Sequence, residues 1–400
     1  MTSEIGPVQW RALAAAMIGW TLDAMDVMLY AFALTAIRTE FALDAAGAGA
    51  LASVTLLASA FGGTLFGWIA DRAGRTRALV WSILVYSVFT ALTATSSSVA
   101  ELVLWRTLVG IGLGGEWSAG SVLVAETWPA KHRGKAMGLM QSGFAIGYLL
   151  AAGLAALVLP RFGWRALFLL GVAPALFAAW VRVSVPEPEL WTTRRPRAPL
   201  RELLAPALLR RALIAFGVAA SVLFAYWGIF TWVPAYLATP IEKGGAGLGI
   251  VRSAAWIVPV QLGAFLGYTT FGLLADRFGR RPTFLVFVFG AAAITPLYAL
   301  LGHDNAVLFL AGPLFGYFGH GYFSVFGTML AELFPSSVRA TAQGLCYNAG
   351  RGVSALAPLS VGALADAYGL GMALAGASLF FVLGGILMLF LPETRGEVLR

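Results

Sequence analysis

An all-α membrane protein, with twelve spanning helices in two pseudo-symmetric six-helix bundles, is predicted by three observations. The 400 residues are 59 % hydrophobic and 12 % charged, where soluble chains run near a quarter charged. Cutting the chain at its charged residues leaves apolar blocks of about the 20 residues that cross a bilayer as a helix. Charged patterns in the first half also return in the second at an almost constant offset.

The spans follow in order at 10–37, 47–70, 78–100, 102–125, 136–160 and 166–181, then at 212–241, 253–275, 282–302, 305–331, 340–365 and 367–392. Residues 1–10 hold no basic region ahead of a short apolar core, so the first span reads as an uncleaved helix. This gives an N-terminal bundle over 1–181, a Pro- and Arg-rich linker over 182–211 and a C-terminal bundle over 212–400. With both termini cytoplasmic, 20 of the 27 Lys and Arg fall on that side, five on the other and two inside spans. That bias sets the orientation in a cell inner membrane. It also accounts for a net charge of +8 without nucleic acid, because the basic residues flank helices in short clusters. One cysteine, Cys346, excludes an internal disulfide and a cysteine metal cluster.

Two motifs recur. Gly67, Asp71, Arg72, Gly74 and Arg75 match Gly272, Asp276, Arg277, Gly279 and Arg280, 205 residues on; Glu126, Pro129 and Arg133 match Glu332, Pro335 and Arg339, 206 residues on. All lie at cytoplasmic helix ends, where ion pairs and helix-dipole contacts can act as a conformational latch that holds one state closed.

The doubled G-x-x-x-D-R-x-G-R loop resembles the signature of the major facilitator superfamily. The resemblance covers the whole chain and implies two six-helix bundles that rock about a central site. Gly-Glu-Trp at 115–117, Ala-Glu-Thr-Trp-Pro at 125–129, Arg-Gly-Lys at 133–135 and Tyr-Asn-Ala-Gly-Arg at 347–351 further resemble the sialate and monocarboxylate proton symporters, a pattern partly shared with aromatic-acid and other metabolite symporters.

Five ionisable residues fall at membrane depth, besides His320: Asp23, Asp26, Arg106, Glu116 and Arg351. Charged groups at that depth are costly and face a cavity or a partner. None is repeated at the 206 offset, so they are candidates for substrate and coupling rather than for the shared scaffold. Asp23 and Asp26 are three apart on one helix face, and two carboxylates so close in a low dielectric do not both ionise readily, which suits a proton carrier. In sugar-porter-like relatives an aspartate of the first helix pairs with an arginine of the fourth for proton coupling; the resemblance places that pair on Asp26 and Arg106, with Asp23 extra. A static salt bridge orienting two helices is the alternative.

Arg351 has no acid in the spans of its own half. Its partner is either the substrate's carboxylate, which a guanidinium fork fits, or Asp23 or Glu116 across the bundles, as a gate. Asn348 and Tyr347 share its face; His320, Gln261 and Gln141 are further candidate substrate contacts, with Tyr226, Trp227 and Trp232 as candidate lining. Gly110, Gly112 and Gly115 satisfy G-x-G-x-x-G but follow no strand, so close helix packing explains them rather than a dinucleotide. No HExxH, P-loop or nucleophile elbow occurs, and an enzyme is not expected.

The expectation is a proton-coupled symporter importing a small organic anion, foremost a monocarboxylate. It has no cofactor beyond the proton as coupling ion, the lipid bilayer as surroundings, and a monomer as working unit. A proton-coupled exporter or drug antiporter, an aromatic-acid symporter and a transporter-like sensor stand as alternatives.

Overall fold

The computed structural model describes residues 5–187, 205–334 and 339–394. Most of the linker, Pro335 and the side chains of Asp71, Arg133 and Arg339 lie outside the described residues. The first half contains α1 (Pro7–Glu40), α2 (Ala45–Ala73), α3 (Arg75–Thr93), α4 (Val99–Thr127), α5 (Ala130–Leu169) and α6 (Ala173–Ser184). The second contains α7 (Pro206–Phe230), α8 (Val233–Ala238), α9 (Gly249–Phe278), α10 (Arg280–Leu301), α11 (Asn305–Gly321), α12 (Ser324–Leu333), α13 (Arg339–Ser354), α14 (Ala357–Tyr368), α15 (Leu370–Ala377) and α16 (Leu379–Met388). No strand occurs among the described residues.

Nine stretches of the described residues are long and apolar enough to cross a membrane. One of them, Lys135–Val181, folds at Gly163 (φ 74°) and holds the fifth and sixth spans. The tenth and eleventh are the interrupted pairs α11–α12 and α13–α14, which brings the crossings to twelve. Within the stretch expected as linker, helix already begins at Pro206, a proline at the first helical position where no amide hydrogen is needed.

The repeat extends into the backbone. The turn from α2 to α3 pivots on Gly74 (φ 113°) and the matching turn from α9 to α10 on Gly279 (φ 107°), conformations that a side chain would strain. Each turn is followed by a helix whose first amides point at a carboxylate from the end of the half. Glu187 accepts from Thr76 N at 3.1 Å and Arg77 N at 3.2 Å; Glu393, 206 residues on, accepts from Arg280 N at 2.9 Å and Arg281 N at 3.0 Å. These two caps satisfy amides that a helix start leaves open. Sequence matching missed them, since one Pro-Glu pair in each half is a short signal.

The ion pairs of the repeated motifs are also matched, and those described are made inside each half. Arg75 holds Glu126 through Nη2 at 2.9 Å and Nε at 3.2 Å. Arg280 holds Asp276 across the turn from α9 to α10 and Glu332 at 3.5 Å, and Glu332 accepts from Thr394 Oγ1 at 2.6 Å. Arg72 and Arg277 lie over the rings of Trp68 and Phe278, at 4.0 and 5.3 Å. These described pairs brace the third and fourth spans of each half. A Cβ placed on Gly67 or on Gly272 would meet nothing within 4 Å.

The glycines of α4 act as packing residues. A Cβ at Gly112 would stand 2.5 Å from Tyr86 N of α3, and one at Gly115 2.5 Å from the ring of Phe66 in α2. Helix backbones approach this closely only over small residues.

Candidate functional site

The spans that surround the centre are not continuous helices. Pro234 in α8 lacks the amide that would bond the carbonyl of Phe230, and Pro358 in α14 does the same to Ser354, so α7 stops at Phe230 and α13 at Ser354. This corrects the expectation of one unbroken helix over 340–365. The freed carbonyl of Phe230 accepts from the hydroxyl of Tyr148 at 3.2 Å, across the halves. The two breaks are joined by Trp232, whose Nε1 donates to Pro358 O at 3.0 Å. Arg351 lies in the last turn of α13, where the partial negative charge of a helix C-terminus favours a cation. Backbone irregularity of this kind is tolerated at depth where it lines a cavity.

A narrow cavity lies there, between the halves. The first half supplies Tyr30, Val27 and Met28 of α1, Thr55 and Ser59 of α2 and Arg106 of α4; the second supplies Trp227, Thr231 and Arg351. It is enclosed along α2. Towards the face opposite the termini, Ser53 Oγ accepts from Leu359 N at 3.2 Å, and Asp366 Oδ1 and Oδ2 accept from Ala45 N and Ala46 N at 3.1 and 3.0 Å. Gly49 and Gly362 let α2 and α14 touch backbone to backbone. Towards the face that carries the termini, Trp117 and Tyr347 stack across the halves with ring centroids 4.2 Å apart, and Asn348 packs against Gly63.

Five buried charges gather around this space: Asp23, Asp26, Arg106, Glu116 and Arg351 are each at most 3 % exposed. Arg106 Nη1 stands 3.8 Å from Asp26 Oδ2, its Nε donates to Thr55 Oγ1 at 3.3 Å, and its guanidinium carbon lies 4.9 Å from the centre of the Tyr30 ring. At 3.8 Å the ion pair is not a hydrogen bond. Both oxygens of Asp26 and Nη1 of Arg106 have no hydrogen-bond partner in the protein. Asp23, three residues back along α1, lies in the electrostatic field of Arg351 and of Asp26. Glu116 lies over Gly19, with neither oxygen hydrogen-bonded, and in the field of Asp23. Buried polar atoms left open in this way are unusual outside working sites.

Of the residues expected to contact substrate, Arg351 lines the cavity and the others do not. Tyr347 and Asn348 lie beyond it, in the contact with α4 and α2. His320 is enclosed by the rings of Tyr226, Phe230 and Tyr268, with Nδ1 3.1 Å from Gly316 O; four residues apart, these two groups meet along one helix. Gln261 and Gln141 are buried, Gln261 with both amide atoms unpaired and Gln141 with its Oε1 unpaired. Trp227 lines the cavity, whereas Trp232 is fixed at the helix breaks and Tyr226 belongs to the aromatic cluster around His320. Tyr30, Thr55 and Ser59 escaped sequence reasoning. Tyr30 was legible as one turn after Asp26 on the same face, but the two hydroxyls of α2 carry no signal of their own.

The fold agrees with the comparisons to known proteins. A family model described as Major Facilitator Superfamily matches residues 16–260 and 251–399. A Haemophilus influenzae protein named for metabolite transport is 36 % identical over all of both chains. The cis,cis-muconate transport protein of Acinetobacter baylyi is 33 % identical, over 98 % of this chain and 97 % of its own. The structure of the proton:xylose symporter XylE bound to 6-bromo-6-deoxy-D-glucose superposes with a TM-score of 0.76, covering 98 % of each chain at 19 % identity, a likeness of fold. With its doubled loop motif, its two matched halves and a cavity between them, the chain belongs to the major facilitator superfamily and is a multi-pass membrane transporter, not an enzyme.

Proposed function

We propose that this transporter imports a small organic carboxylate together with protons. The observation that carries the reading is the cavity wall, where two guanidiniums, Arg106 and Arg351, face the space and no carboxylate does so among the described lining residues. Asp26 stands 3.8 Å from Arg106, and Asp23 lies in the field of Arg351, so that each arginine has an aspartate to balance it when no substrate is bound. The similarity to a muconate transport protein favours the same class of cargo. A lipophilic cation, the usual cargo of a drug exporter, has no counter-charge in this wall, which sets that alternative second.

The mechanism follows from charge neutrality. In the empty protein each arginine is balanced by an aspartate. An anion that takes Arg351 releases Asp23, and a proton on the released carboxylate restores neutrality, so the loaded halves can rock without carrying net charge through an apolar seam. Entry of an uncompensated anion into a negative-inside cell would cost about 2.3 kcal/mol per charge per 100 mV, which the accompanying proton removes. The face that carries the termini is cytoplasmic in this reading. The matched pairs Arg75–Glu126 and Arg280–Glu332 keep each half rigid while it rocks, and the protein acts as a monomer with no cofactor.

Proteoliposomes loaded with a pH-sensitive dye test this. Internal acidification on adding one class of organic acids, lost in Arg351→Ala, is the expected result. Acidification that persists in Arg351→Ala, or no response to any acid, overturns the reading.

A further inference from the structure

The cavity contains one arginine more than a single carboxylate needs. Arg106 and Arg351 both line it, one from each half. Arg106 is 1 % exposed, its Nη1 has no hydrogen-bond partner, and its aspartate is held only at 3.8 Å. A guanidinium with an open donor inside a closed cavity is a ready partner for an anion. Arg351 stands in the field of Asp23 and Arg106 in that of Asp26, and the aspartates are three residues apart on α1, about 4.5 Å along the helix axis at about 1.5 Å per residue.

We propose that the substrate is a dianion of the dicarboxylate class, one carboxylate on Arg351 and the other on Arg106, and that two protons travel with it. The inference rests on the carboxylate-import reading and refines the monocarboxylate expectation, which counted Arg351 alone. The charges balance. In the proposed empty form the two guanidiniums are balanced by Asp23 and Asp26, the arginines offsetting the repulsion that otherwise keeps two neighbouring carboxylates from both ionising. Loaded, the same guanidiniums face the two carboxylates of the substrate, and Asp23 and Asp26 each take one proton. A dianion with two protons is electroneutral, and so are both forms that rock. The charged and titratable groups facing Asp23 are Arg351, Asp26, Glu116, Tyr347 and, from α3, Tyr86; those facing Asp26 are Arg106, Asp23 and Tyr86. Glu116 approaches the first aspartate over Gly19, and no contact of it with either arginine enters the exchange. Thr55, Ser59 and Tyr30 also line the cavity, with their hydroxyls donating to the backbone carbonyls of Leu51, Leu56 and Ala48 and their oxygen lone pairs left for further contacts.

The test is calorimetric titration of the full chain in detergent with straight-chain diacids of two to four methylenes, each against its own half-amide. The half-amide keeps length and one carboxylate but cannot engage the second arginine as an ion. The expected result is that one diacid binds at least about tenfold more tightly than its half-amide, the scale of one charged hydrogen bond, and that Arg106→Gln removes the difference. The wild-type ratio decides alone if that variant does not fold. In proteoliposomes, uptake of the same diacid should be indifferent to a potassium diffusion potential. Equal affinity of diacid and half-amide overturns the dianion while leaving carboxylate import standing, and uptake that follows the potential overturns the two-proton count. Failure of every mono- and diacid to bind overturns the import reading itself.

Discussion

Asp366 and Ala45 belong to opposite halves of the transporter, and the carboxylate of the first accepts the amide hydrogen of the second at 3.1 Å. The other oxygen of Asp366 takes the next amide, Ala46, at 3.0 Å. A side chain from the end of α14 therefore caps the start of α2, a place that the capping residue Asp44 already serves from within its own chain segment through Gly47 N at 2.6 Å. The contact is made only while the halves meet at this face, so it belongs to a conformation and not to either half.

Replacing Asp366 by alanine should loosen that face. Loss of a carboxylate cap costs about 1 to 2 kcal/mol, which shifts a two-state opening by roughly five- to thirtyfold. A cysteine placed at Ser53, under the contact, reports it in a Cys346→Ala background. Its alkylation by a membrane-impermeant maleimide should quicken in Asp366→Ala, and an unchanged rate would show that the backbone packing of Gly49 and Gly362 holds the seam alone.

Glu187→Gln and Glu393→Gln should each lower the thermal midpoint by about 1 to 3 °C. Each exchanges a charged cap for a neutral one at a helix start. Because the two caps serve helix starts in different halves, their effects should add. Differential scanning of the single and double variants checks both points, and a double variant no worse than one single would contradict the matched roles.

Gly112 and Gly67 should answer oppositely to alanine. At Gly112 the new methyl meets Tyr86 N at 2.5 Å, an overpacking that costs about 1 to 3 kcal/mol. At Gly67 nothing lies within 4 Å, and alanine in a helix is neutral or slightly stabilising. Thermal unfolding separates the two. A stable Gly67→Ala that no longer transports would show that this glycine meets a partner in the other conformation.

Uptake should rise as the external pH falls. In the proposed cycle the substrate releases Asp26 and Asp23 and protons take its place on them, so protons are consumed from the outside and a lower external pH drives the loaded form. Asp26→Asn removes one acceptor. It should flatten the pH profile and abolish accumulation driven by a pH gradient, while exchange of internal for external substrate continues. Initial rates of labelled acid uptake between pH 5 and 8 measure this, and an unaltered profile in Asp26→Asn would place the coupling elsewhere.

The chain's own letters determined the class, the number of spans and the division into halves, because a bilayer imposes length and apolarity on each helix separately. The repeated loops were legible for the same local reason. The five buried charges were also singled out, since Asp23, Asp26, Arg106, Glu116 and Arg351 are anomalous within their own spans. Tertiary structure decided which of them meet. It set Arg106 against Asp26 and both arginines on one cavity, turned Tyr347 and Asn348 into a closure beside it, and buried His320 among rings. It also revealed Glu187, Glu393 and Asp366 as caps, residues that look like ordinary surface acids until the helix they serve arrives from elsewhere in the chain. Local burial cost is written in one span, but partnership between spans depends on how helices far apart in sequence pack, and no periodicity within a span records that.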